Sequence, residues 1–319
     1  MTTPPTTPPG LAAALGRRRA YWHAGVCLVV LVGLAYLARR HWPALHTGAV
    51  RLAVADQGWL LAGAAAAVGT WAASAVAQQG AVVRRLPGGR LVAAQFAAGA
   101  ANHVLPAGLG AGAVNLRFLM RCGLPAARSA SALAVKATAG GVVRGVLIAV
   151  LAPACPGLLR IPNLSAGAPV AVLVLAVLVV VLVRSRLWPR CRRALATVLA
   201  DIRAVHASPP RAAALWGGSA AFTALHSLVL ITVTQAVELP LSPARVTLLY
   251  LAASSAAALL PTPGGIGSLD AALALAFTAA GAPAAAAASA VLGYRLLTVW
   301  LPLVPGLVVL GVLVRRKAL

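Results

Sequence analysis

Of 319 residues 61% are hydrophobic and 10% charged, with a mean hydropathy of +0.90; a soluble globular protein of this size is excluded, and a chain crossing a membrane several times is indicated. The net charge of +23, from 27 basic and 4 acidic residues, would suggest nucleic acid in a soluble protein. Here the basic residues stand in short loops beside apolar stretches, as the positive-inside rule and anionic headgroups arrange them, without an aromatic-interleaved basic stripe or zinc spacing, so no nucleic-acid partner is expected.

Residues 1–19 read as a disordered tail, Thr- and Pro-rich from Met1 to Gly10. Arg17, Arg18 and Arg19 precede a span without a small-residue cleavage site, so this first helix is expected to be retained and the amino end cytoplasmic. Stretches long enough to cross a bilayer, about 20 apolar residues, are predicted at 20–38, 59–79, 139–159, 166–183, 212–236 and 286–314. Residues 91–113 and 245–281 are also apolar, but Pro and Gly interrupt each near its middle, as in a re-entrant hairpin or a pair of half-spans. The expectation is an all-α membrane protein of about eight transmembrane segments over 20–314, with a basic cytoplasmic tail at 315–319.

Arg84, Arg85 and Arg90, the cluster from Arg184 to Arg211, and Arg315, Arg316 and Lys317 fall on one predicted side and place both termini in the cytoplasm of a cell (plasma) membrane protein. Arg39, Arg40 and Arg51 run against that rule. Residues 186–208 are expected to lie as an amphipathic helix on the cytoplasmic headgroups, with Trp188 at the interface. Cys27, Cys122, Cys155 and Cys191 are scattered, with no CxxC pair and no paired His spacing, so neither a disulfide framework nor a metal site is expected. No cofactor motif is present.

Pro261-Thr262-Pro263-Gly264-Gly265-Ile266-Gly267-Ser268-Leu269-Asp270 is the most informative run. Two prolines and three glycines cannot continue a helix arriving from Leu248 to Leu260, and irregular backbone survives in hydrocarbon only when protein buries it or it lines a polar cavity. Residues Val104 to Asn115 align with Leu259 to Asp270, superposing Pro106 on Pro261, two Gly positions and the polar terminus. Three full spans separate the two runs, so they are expected to enter from opposite faces as an inverted repeat suited to alternating access.

Each Gly-rich turn lets backbone approach a ligand, and the following half-helix offers a positive dipole end to an anion. Arg117 is the nearest cation; Arg121 and Arg128 read more simply as a solvated face. A carboxylate in a span needs protein, water or a cation beside it, and Arg295 is the expected partner of Asp270, although Ser268 or Asp270 would also serve to cap the half-helix. His103 is a candidate proton or phosphate ligand with a structural alternative, and His226 a partner in interhelical hydrogen bonding. Asn102, Asn115, Gln95 and Lys136 are expected to border the same cavity. Tyr250 and Tyr294 read as interface or packing aromatics.

Three motifs carry a resemblance. Asn102-x-x-Leu105-Pro106-x-x-x-Gly110 with Arg117, the Pro261 to Asp270 run, and Tyr294-Arg295 followed by Trp300, Pro302 and Gly306 are similar to motifs of the transmembrane domain of lysylphosphatidylglycerol synthases and of the broader flippase-like family built on it. The similarity runs from about residue 20 to 314. The family's usual Glu is replaced by Asp270; Ala111 and Gly112 stand where a Glu is common, and Val135-Lys136-Ala137-Thr138 replaces a Glu-Arg pair, leaving only Lys136 as its basic half. Members that move aminoacylated lipids carry a further soluble aminoacyl-transfer domain, so a chain ending at Leu319 is expected not to perform that transfer.

The resemblance and the motif chemistry together nominate Asn102, Pro106, Gly110, Arg117, Pro261, Thr262, Pro263, Gly264, Gly265, Gly267, Asp270 and Arg295 as substrate-binding, with no catalytic residue or metal ligand. They imply a translocase or transporter for an anionic phospholipid or polyprenyl-phosphate lipid, downhill or ion-coupled since no ATP motif is present. An enzyme modifying lipid is the rival, weakened by the absence of paired carboxylates or a Ser-His-Asp grouping. An accessory subunit to a separately encoded synthase or transferase is the third reading.

Overall fold

The computed structural model describes residues 42–104, 109–155, 202–258 and 267–316, together with positions 39, 196, 199, 200, 318 and 319. The predicted spans 20–38 and 166–183, the tail 1–19, Trp188 and Lys317 lie outside these residues. The described elements are α1 (Trp42–Ala53), α2 (Gln57–Gly80), α3 (Gly88–Val104), α4 (Leu109–Arg121), α5 (Ala126–Leu151), α6 (Pro209–Ala236), α7 (Pro243–Ala258), α8 (Ser268–Ala279), α9 (Ala284–Arg295), a π-helical turn (Leu296–Trp300) and α10 (Leu301–Arg315). Among the described residues there is no strand. The protein is an all-α membrane protein, and α2, α5, α6 and the continuous run Ala284–Arg315 are long and apolar enough to cross a bilayer.

Spans 59–79, 212–236 and 286–314 coincide with α2, α6 and the α9–α10 run. Span 139–159 is corrected to Ala126–Leu151. Arg128, Ser129, Ser131 and Lys136 depress the hydropathy of the first half of α5, but Ser129 and Ser131 are buried against protein, so helix packing admits them. Pro125 sets the start, with an extended backbone compatible with the position before a helix, and Pro153 follows the end. Nothing in the hydropathy announced α1, which fills most of the interval between 38 and 59. It packs on α9 so closely that a Cβ at Gly48 would come within 3.0 Å of the Ala288 Cβ.

The regions 91–113 and 245–281 are both broken. α3 ends at Val104 and α4 begins at Leu109; α7 ends at Ala258 and α8 begins at Ser268. Both pairs fold back as helical hairpins, α3 on α4 and α7 on α8. Gly110 closes the first: a side chain there would run into the Ala101 carbonyl. Shifting α3 by the 155 residues from Pro106 to Pro261 gives 243–259, against Pro243–Ala258 for α7. The chain therefore presents one order twice: long helix, half-helix, break, half-helix, long helix.

The two halves meet through α2 and α6, the most extensive helix pair. Gly63 faces Thr232, Gly69 faces Leu225, Ala77 faces Gly218 and Gly80 faces Leu215, so numbers rise along one helix as they fall along the other. Equivalent helices are thus antiparallel, as inversion of one half relative to the other requires. Small residues hold them: a Cβ at Gly218 would meet the Ala77 backbone, the close approach that gives membrane helices their van der Waals attraction. The exchange continues at the hairpins, α3 leaning on α10 and α7 on α5.

Between α9 and α10 the helix widens. The Leu301 N–H reaches back five residues to the Leu296 carbonyl, and Pro302 has no N–H with which to continue the α-helical ladder.

Candidate functional site

At the second break, Asp270 makes two connections from the first turn of α8. Its Oδ2 accepts the Gly267 N–H at 2.8 Å, in a cap that Gly267 completes with φ +83°, a conformation strained for any side-chain-bearing residue. Its Oδ1 accepts from Arg295 Nε in an ion pair. The cap and the pair anticipated for this carboxylate coexist. The Arg295 side chain is 8% exposed and that of Asp270 31%, so the pair joins a protein-enclosed cation at the end of α9 to a carboxylate at the edge of the break.

At the first break a polar network links four helices. Lys136 of α5 donates to Ser74 Oγ of α2 at 2.9 Å and to Gln95 Oε1 of α3 at 3.0 Å. Ser74 donates to the same Gln95 oxygen at 2.8 Å. Gln95 Nε2 donates to Asn115 Oδ1 of α4 at 2.7 Å, and Asn115 Nδ2 to the Ala111 carbonyl at 2.9 Å. Every acceptor of Lys136 among the described residues is neutral.

Two adjoining cavities open on this network. One, of about 310 Å³, is bordered by Trp71, Asn102, His103, His226 and Thr298; the other, of about 400 Å³, by Gln78, Gly112, Leu133, Gly140 and Ser219. Ser74, Ala111, Asn115, Lys136 and Phe222 form the wall they share. Ala111 and Gly112 belong to the first turn of α4, so a positive helix end faces the space. Asn102, Gln95, Asn115 and Lys136 do border a common cavity. His103 lies there too, with Nδ1 buried and unpartnered among the described residues, and the Arg295 charge reaches it.

Pro106, Pro261, Thr262, Pro263, Gly264 and Gly265 lie outside the described residues. Gly110 serves the hairpin contact and Gly267 the cap. Arg117 is exposed and borders neither cavity, because it stands about 200° around α4 from Asn115. Arg121 and Arg128 are also exposed. Tyr250 and Tyr294 are buried in a ring cluster with His226, whose Nδ1 lies 3.0 Å from the Tyr294 hydroxyl, so packing and interhelical bonding replace the interface alternative.

Four contributors escaped the sequence reading. Thr70, Ser74 and Gln78 recur every fourth residue along α2, one polar stripe on an Ala-rich helix, and that period is the signal that would have found them. Arg144 lies two turns beyond Lys136 on α5, half-buried and within electrostatic reach of His226, Tyr250 and Tyr294. Among the described residues no group of three or more His, Cys, Asp or Glu side chains comes together.

Among protein families, the model described as lysylphosphatidylglycerol synthase TM region matches residues 19–306. No curated protein matches the chain.

Proposed function

The chain belongs to the lysylphosphatidylglycerol synthase TM region family, and from that premise we propose that it is a translocase or transporter that takes an anionic lipid headgroup into the cavities at Lys136 while the acyl chains stay in the bilayer. It is an integral membrane protein of lipid-related function. Lys136 carries the reading: an ammonium inside a span, bonded among the described residues only to a hydroxyl and an amide oxygen, is complemented by a phosphate oxygen better than by any of those neighbours. The first turn of α4, reaching the same space through Ala111 and Gly112, adds a favourable dipole.

In this reading Asn102 contacts the guest and the Asp270–Arg295 pair fixes the second break beside the route. The inverted halves support alternating access, with movement downhill or coupled to an ion. The protein sits in the plasma membrane with both termini in the cytoplasm, where the Arg-rich loops fall. Purified protein in liposomes is expected to equilibrate a labelled anionic phospholipid or polyprenyl-phosphate between leaflets; a rate equal to that of empty vesicles for both would overturn the proposal. The family description, a region of a synthase, favours a second role as membrane partner of a separately encoded synthase. Co-purification of such an enzyme with a chain inert in liposomes is the outcome that selects it.

A further inference from the structure

We infer that the guest is a phosphate bearing a neutral, hydroxyl-rich group, and that a headgroup carrying an ammonium is rejected; the inference rests on the lipid reading above and narrows it.

The rejection follows from where the acids are. The chain has four. Asp56 is exposed and caps α2, accepting the Trp59 N–H at 3.0 Å. Glu238 is exposed in the turn after α6, at φ +54°. Asp270 is engaged by Arg295 and the Gly267 N–H. Asp201 stands in the Arg-rich segment before α6, and neither 105–108 nor 259–266 contains an acid. Among the described residues no carboxylate borders either cavity. An entering ammonium would meet Lys136 in the shared wall and Arg144 beyond it on the same helix, with no counter-charge among the described residues to offset its desolvation.

The hydroxyl-rich portion follows from Gln78. Its side chain is fully buried, borders the larger cavity, and neither its amide oxygen nor its amide nitrogen has a partner among the described residues. One acceptor and one donor side by side match the donor and acceptor of neighbouring hydroxyls on a polyol. Ser219 borders the same space, Phe222 supplies an apolar wall, and about 400 Å³ is room for a glycerol or sugar unit. Phosphate at Lys136 and hydroxyls at Gln78 then share one guest.

The test is competition binding to the full-length protein in nanodiscs, read by native mass spectrometry with dioctanoyl lipids. Phosphatidylglycerol and phosphatidylinositol are expected to bind about tenfold more tightly than phosphatidic acid, the factor that one satisfied buried amide supplies. Lysylphosphatidylglycerol is expected to show no saturable binding. Gln78→Leu is expected to erase the polyol preference and keep phosphatidic acid binding; Gln78→Glu is expected to admit lysylphosphatidylglycerol, a gain that misfolding cannot mimic. Wild-type binding of lysylphosphatidylglycerol equal to that of phosphatidylglycerol, or of phosphatidic acid equal to both, overturns the inference while the lipid reading stands. Saturation by glycerol 3-phosphate with none of the lipids overturns the lipid reading, and saturation by inorganic phosphate equal to that by glycerol 3-phosphate overturns the inference with it.

Discussion

Arg295 at the end of α9 and Lys136 in the middle of α5 are both cations enclosed in apolar helices, yet their surroundings differ in kind. Arg295 meets a carboxylate that also caps a helix, so its charge is spent inside the protein. Lys136 meets a hydroxyl and an amide oxygen, so its charge remains available to whatever enters the cavities beside it. A paired cation fixes architecture, and breaking the pair strands a charge. A cation among neutral acceptors holds up little of the fold, and in the proposed function it is the group that receives an anion.

Four substitutions break or sharpen that contrast, in falling order of their effect on stability. Asp270→Ala is expected to cost about 3 kcal/mol, the low end for a broken buried pair because Asp270 is partly exposed; thermal unfolding in detergent reads it, and Asp270→Arg with Arg295→Asp should recover most of the loss. Gly110→Ala, which forces α4 off the Ala101 carbonyl, is expected to cost about 1–3 kcal/mol in the same assay. A loss that large at a neutral position would assign the stability of the first hairpin to packing rather than charge. Tyr294→Phe removes the hydroxyl facing His226 and is expected to cost about 1 kcal/mol. Lys136→Met is expected to shift stability by less than about 1 kcal/mol, because Ser74 still satisfies Gln95, while lipid movement in liposomes falls to the background rate. A Lys136→Met protein as unstable as Asp270→Ala would erase the distinction between the two cations.

What was legible in the chain is what depends on a few neighbouring residues or on scarcity. Pro and Gly interrupt a helix wherever they fall, so both breaks and their common offset could be read directly. Basic residues inside the predicted spans are few, so Arg295, within the last of them, was the evident partner for Asp270, and the two do pair. The Lys136 network was only half visible, since Gln95 and Asn115 flank a break while Ser74 and Gln78 reach the site through the α2–α6 crossing. Arg117 shows the converse: closeness to a break in sequence did not bring it to the cavity, because position on a helix is angular as well as linear. The start of α5 was misplaced for the same tertiary reason, its polar residues being buried by neighbouring helices.

The π-helical turn at Leu296–Trp300 has a further reach. One more residue than an α-helical turn holds advances everything after it by about 100° of rotation and 1.5 Å of rise. That phase puts Gly306 against Ala100 of α3, where a Cβ would come within 2.7 Å of the Ala100 Cβ. Deleting a single residue from Leu296–Trp300 would therefore turn a bulkier flank of α10 toward the first hairpin, so that the seam between the two halves is set by a count of residues as much as by their identity.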